Sequence, residues 1–180
     1  RALNALLPED IKVRAAYQVP LSFDARRHAT SRTYRYLILN RPTPSPLRRW
    51  TTHWVPGWLD VEAMARAAQY LIGTRDFARF TVPSYHRSTV RRLDRWDVWR
   101  EEELVVQELK ANAFLPQQVR RMAAMLVEVG RGTLPESALL DFAEGRWELP
   151  TPPILPAHGL CLVRVNYPDF PPGLGDSHDA

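Results

Sequence analysis

The stretch Leu104–Gly130 constrains the fold of this 180-residue chain more than any other, because it reads as a strand running straight into a helix. From Leu104 to Ala111, β-branched and polar residues mix in rough alternation, the pattern of a strand with one face toward a core. Asn112-Ala113-Phe114-Leu115 then turns the chain. Pro116 stands where a first helical residue belongs, since its missing N–H needs no partner there. Val119, Met122, Ala123, Leu126 and Val129 follow at helical spacing, and Gly130 is expected to stop the helix.

Arg120 and Arg121 lie near the N-terminal end of that helix, where the aligned peptide dipoles disfavour a cation by roughly 0.3–1 kcal/mol each. A guanidinium held there calls for an anionic partner, either a carboxylate of the protein or a phosphate. For Arg121, a solvated face explains the residue as well as a partner does. Arg120, beside Val119 and one turn from Ala123 and Ala124, points to a functional partner.

Elsewhere the reading is coarser. Ile11–Val19 is expected to be a strand ended by Pro20, and Phe23–Ser31 a polar connection. Arg32–Asn40 is the strongest strand signal, with Tyr34, Tyr36 and Ile38 on one face and Thr33, Arg35, Leu37 and Leu39 on the other. Pro42, Pro44 and Pro46 stiffen a loop that ends in Arg48-Arg49, and a short strand is expected near Thr51–Val55. Asp60 caps a helix with Val61, Met64, Ala65, Ala68, Leu71 and Ile72 on one stripe, and Gly73 is expected to close it. Asp76–Phe80 leads into a loop through Pro83 and His86. Val90–Trp99 pairs with Leu104–Ala111 as a hairpin across the acidic turn Arg100–Glu103, and Pro135–Ala143 is a short helix. Gly159–Val165 is apolar on both faces and is expected to be a central strand carrying a buried Cys161. The tail 168–180, rich in proline and glycine, is expected to be loose. Strands and helices do not alternate regularly, so the class is α+β, with a mainly antiparallel sheet and helices on one face.

Composition narrows the function. Lysine occurs only at Lys12 and Lys110, so 24 − 2 = 22 of the basic residues are arginine, and the net charge is +4. Arginine suits phosphate and stacks on bases, although a codon preference that replaces lysine would leave the same imprint. Arg26, Arg27, Arg32 and Arg35 flank Tyr34 and Tyr36, and Arg91, Arg92 and Arg95 flank Trp96, pairings in which a ring could take a base while guanidinium groups hold phosphates. Trp96, Tyr36 and Phe114 are also natural core residues, whereas Tyr34 lies in a polar part of its strand. His28, His53, His86, His158 and Cys161 share no ligand spacing, so no metal site is expected. A nucleophile elbow and a phosphate loop are absent. The single cysteine fits a reducing, cytoplasmic setting, and no apolar run is long enough to cross a bilayer.

These residues resemble a known family. Phe23-Asp24-Ala25-Arg26 through Arg32-Thr33-Tyr34-Arg35-Tyr36 is similar to the F-x-A-R-x-x-A-x-x-R-x-Y-x-Y box of the tRNA pseudouridine synthase A family. Leu71–Phe80 resembles its L-x-G-x-x-D-F-x-x-F segment, and Asn112-Ala113-Phe114 through Val119-Arg120 to Glu128-Val129-Gly130 resembles its N-A-F…V-R…E-V-G helix. Ala157–Val163 is similar to its closing strand. The resemblance implies a pseudouridine synthase fold over residues 1–167. It also implies a cytoplasmic homodimer that needs neither cofactor nor metal and that isomerises uridine in the tRNA anticodon stem-loop. Through it, Tyr34 is expected to pack against the target uridine and Arg120 to pair with the catalytic aspartate. Arg26, Arg32, Arg35, Arg91, Arg92 and Arg121 become candidates for RNA contact. The aspartate of the family's R-T-D-A-G-V-H motif does not occur in these 180 residues. The chain is therefore expected to be a C-terminal portion, inactive alone. Pro116-Gln117 stands where many members carry two histidines. The competing reading is a non-catalytic RNA-binding module on the same fold.

Overall fold

In the computed structural model, which describes residues 2–82, 88–148 and 153–168, a mixed six-stranded sheet carries helices packed on it. In chain order the elements are α1 (Ala2–Leu6), β1 (Ser31–Leu39), β2 (His53–Trp54), α2 (Val61–Gln69), β3 (Gly73–Asp76), β4 (Val90–Glu101), β5 (Leu104–Ala111), α3 (Gln118–Gly130), α4 (Ala138–Ala143) and β6 (Leu160–Asn166). The sheet order is β2-β1-β5-β4-β3, and β6 also pairs with β1. Every pairing is antiparallel except β1 with β2.

Register explains which face is covered. Tyr34 lies opposite Leu109, Tyr36 opposite Gln107 and Ile38 opposite Val105, while Trp96 lies opposite Leu109. Tyr36, Ile38, Trp96, Val105 and Leu109 form one buried cluster with Met64, Leu71, Met122 and Leu126 of the helical layer. Burying each large apolar side chain contributes about 1.5–3 kcal/mol, so this face supplies most of the core. The opposite face carries charge: Glu108 accepts from Arg35 through Oε2 and from Arg95 through Oε1, both at 2.7 Å. The alternation read for Arg32–Asn40 therefore divides β1 as expected, with Arg35 away from Tyr34 and Tyr36.

The two main helices are tied at one end. The Asp60 Oδ1 accepts from the Ala63 N–H at 2.8 Å and caps α2, while the Asp60 N–H donates to the Gly130 carbonyl, also at 2.8 Å. Gly130 is not the left-handed stop of the helix. It is the last residue of α3, the left-handed turn beyond the helix falls at Gly132 (φ +72°), and a Cβ on Gly130 would come within 2.6 Å of the Met64 sulfur where α2 packs on α3. Gly73 is likewise not a cap: α2 ends at Gln69, and Gly73, at φ +105°, opens β3.

Three other expectations are corrected. Ile11–Val19 forms no strand, because none of the described strands lies beside it to take its backbone hydrogen bonds. Pro116 is not the first residue of α3. The Leu115 N–H donates to the buried Gln118 Oε1 at 2.8 Å, and the Gln118 N–H returns to the Leu115 carbonyl at 3.1 Å. That closed turn, with Gln117 left-handed at φ 63°, delays the helix to Gln118. Finally, β6 is not central. It pairs with β1 alone among the described strands, and Cys161, Leu162 and Val163 are exposed. Apolar character on both faces shows what a strand tolerates, not which neighbours it receives. Pro83 and His86, and the tail beyond Pro168, lie outside the described residues.

Candidate active site

The turn between β5 and α3 is built on Asn112. Its side-chain oxygen accepts the Arg92 and Ala113 N–H groups, both at 2.9 Å, and its own N–H donates to the Arg92 carbonyl at 3.0 Å. An amide oxygen that holds two backbone donors fixes where the chain leaves the sheet. Phe114 is thereby set edge-on against Tyr34, with ring centroids 5.2 Å apart at 89°, a favoured aromatic geometry. Tyr34 is half-buried at the margin of the core.

Two residues further along β1, Tyr36 is fully buried, and its hydroxyl donates to the Pro156 carbonyl at 2.8 Å. Burial pushes the Tyr36 phenol up, and the nearby Arg120 cation opposes that shift without cancelling it. Arg120 reaches the same segment from α3: its Nε donates to the Leu155 carbonyl at 2.6 Å. Adjacent carbonyls thus receive Tyr36 and Arg120, which places Arg120 on the side of the sheet that Tyr34 and Tyr36 face. No carboxylate pairs with Arg120 among the described residues. Gly159 permits the arrangement, because a Cβ there would stand 2.8 Å from the Tyr36 Cζ.

The other arginines singled out by sequence are distributed differently. The Arg32 guanidinium is spent on the Ala29, Asn112 and Arg26 carbonyls, pinning the segment before β1 to the β5–α3 turn. Arg35 is held by Glu108 and stacks over Trp99 at 5.7 Å, on the opposite face of the sheet. Arg92 pairs with Asp94 at 2.6 Å, and Arg91 donates to the Ser88 and Val90 carbonyls. Arg121 donates to the Gln117 Oε1 at 3.1 Å. The Arg26 guanidinium is exposed and has no partner among the described residues. Sequence reading missed the Leu155 and Pro156 carbonyls and Gly159. Their only signal was a glycine shortly after a run of prolines.

Among the described residues, no three His, Cys, Asp or Glu side chains are grouped to hold a metal ion, and no helix is long and apolar enough to cross a membrane.

A mixed sheet covered by helices, with Tyr36 and Arg120 bonded to adjacent carbonyls on the covered side, defines an α+β domain. Residues 67–168 match the tRNA pseudouridine synthase family. The chain is also 44% identical over 177 residues to a tRNA pseudouridine synthase A from Roseiflexus castenholzii, covering 94% of this chain and 64% of that protein. It is 40% identical over 184 residues to the enzyme of that name from Roseiflexus sp. strain RS-1, covering 98% and 66%. A Geobacter sulfurreducens relative with the same name is 39% identical over 166 residues, covering 92% and 68%. The chain belongs to the tRNA pseudouridine synthase family, and it spans about two thirds of the length of these relatives.

Proposed function

We propose that the protein to which this chain belongs isomerises uridine to pseudouridine in the anticodon stem-loop of tRNA, as a cytoplasmic homodimer and without cofactor or metal. In this reading an aspartate attacks the target nucleotide, the glycosidic bond to N1 breaks and the base turns; C5 then bonds to the ribose as the aspartate is released, and C5 loses its proton while N1 gains one. The nucleophile comes from a segment other than these 180 residues. Arg120 supplies its cationic partner. A guanidinium beside a carboxylate favours the ionised form, which is the form that attacks. Tyr34 offers a ring against which the uridine packs. Extruding that base from its stack costs a few kcal/mol, and stacking worth roughly 1–3 kcal/mol offsets part of it.

The observation that carries this reading is Arg120 itself. It is an arginine in the first turn of α3, part-buried, bonded to one backbone carbonyl and facing no carboxylate of the described chain. The macrodipole opposes a cation at that position, so an anion must arrive from elsewhere to compensate it. Arg26, Arg35, Arg91, Arg92 and Arg121 are proposed as RNA contacts. Arg32, whose two terminal nitrogens bond backbone carbonyls, is proposed to act by holding the segment before β1 against the β5–α3 turn.

Turnover on an unmodified tRNA anticodon arm tests the proposal. In the complete protein, Tyr34→Ala and Arg120→Ala are each expected to lower turnover while the fold is kept. Normal turnover in either variant removes that residue's role. Activity from the 180-residue chain alone would show that the nucleophile lies within it. Binding without turnover by the complete protein would select the non-catalytic RNA-binding reading instead.

A further inference from the structure

Residues 41–59 hold half of the chain's six tryptophans, three arginines and no acidic residue. Trp50 and Trp58 are 72% and 78% exposed, exceptional for the most costly side chain to leave in water, and Leu47 is fully outside as well. The rings are not randomly placed. The Arg49 guanidinium lies over Trp50 at 5.2 Å and the Arg100 guanidinium, from β4, over Trp58 at 5.6 Å. The loop is held in shape by Asn40, whose side-chain amide donates to the Val55 and Gly57 carbonyls while its oxygen accepts from Arg100. Trp54 is anchored through its Nε1 on the Arg41 carbonyl.

Charge on this surface is left partly uncompensated, unlike that of several arginines elsewhere on the molecule. Arg35, Arg66, Arg92, Arg95 and Arg146 are each matched to a carboxylate. Arg48, Arg49 and Arg100 have no ion-pair partner among the described residues. The acids nearby are already engaged: Glu103 pairs with Arg41, Glu136 with Arg66, and Asp60 caps α2. Trp58 also walls an open cleft of about 370 Å³ shared with Ala63, Gly130 and Arg131.

We propose that the loop 41–59 is a second nucleic-acid contact, in which unpaired bases stack on Trp50 and Trp58 while Arg48, Arg49 and Arg100 hold the phosphates. It rests on the reading of RNA as the partner, but not on the roles proposed for Tyr34 and Arg120. Leu59 and Trp58 of the loop meet α3 at Gly130, ten residues and about 15 Å along the helix from Arg120. Charge complementarity favours a polyanion over a second copy of the chain. An isologous interface here would bring two sets of unpaired arginines together with no acid in the segment to match them.

The test measures binding of the complete protein to unmodified tRNA by fluorescence anisotropy across a salt series. Trp50→Ala with Trp58→Ala is expected to weaken binding about five- to 150-fold per lost stack. Arg48→Gln with Arg49→Gln is expected to lower the salt slope by about 1 for each arginine. All four side chains lie on the loop surface, and far-UV circular dichroism checks that the variants stay folded. Wild-type affinity and slope in both variants would overturn the proposal and leave the tRNA reading standing. No binding by the unsubstituted protein would overturn both. A tryptophan variant that sediments as a smaller species with unchanged tRNA affinity would overturn the proposal and assign the surface to a second copy.

Discussion

Gly159→Ala tests the seat of the candidate site most directly. The new Cβ would stand 2.8 Å from the Tyr36 Cζ, 3.0 Å from its Cε1 and 3.1 Å from the Leu37 carbonyl oxygen. Ordinary carbon contacts begin near 3.5 Å, so the ring must retreat by about 0.7 Å. It has nowhere to go. Tyr36 is fully buried, its hydroxyl is bonded to the Pro156 carbonyl, and Leu37 is part of the strand ladder. Overpacking of this kind costs about 1–3 kcal/mol, and orphaning a buried hydroxyl adds about 1–3 kcal/mol if its bond breaks. A loss of about 2–4 kcal/mol is expected, which lowers Tm by about 4–16 °C for a chain of this size. Thermal unfolding followed by circular dichroism reads it. A double-mutant cycle isolates the cause: with Tyr36→Leu, which removes both contacted ring carbons, the cost of the added methyl must shrink. A Gly159→Ala variant within 0.5 kcal/mol of wild type, or an equal cost in both backgrounds, would refute the packing argument.

Other outcomes follow from single features. Gln107 is fully buried and neither amide atom has a partner among the described residues, so Gln107→Met is expected to stabilise by about 1–3 kcal/mol; a destabilised variant in urea titration would mean the amide is satisfied. Asn112→Ala removes the acceptor for two backbone N–H groups and is expected to cost about 1–2 kcal/mol, read as a lower urea midpoint with unchanged m. Burial, with His158 and Arg131 adding to it, holds His53 below the usual histidine range. The native state therefore takes up its proton later than the unfolded chain, and stability contributed by neutral His53 falls as pH drops below about 6.5. Comparing urea midpoints at neutral and mildly acidic pH, His53→Gln is expected to show the smaller loss; equal losses would exclude His53 as the source.

Much of the molecule was legible locally. The alternation of Arg32–Asn40 divided β1 into a core face and a charged face because strand side chains alternate whatever surrounds them. The Asp60 cap and the stripe behind it marked α2, and the turn residues between Glu101 and Leu104 marked the hairpin. The roles given to Tyr34 and Arg120 came from family likeness alone, since the two are far apart in sequence and no local pattern joins them. What no local signal carried was closeness between distant segments. Gly130 looked like a helix stop and Gly159 like the start of a strand, yet at each the side chain of Met64 or Tyr36 stands where a Cβ would go. Arg32 looked like a phosphate ligand, yet its donors close on three carbonyls that come together only in the folded chain. The sequence by itself determined the elements, their buried faces and the excess of arginine, all properties of near neighbours. Tertiary structure alone decided which arginines are neutralised and which stay free, because a guanidinium finds its carboxylate through space rather than along the chain.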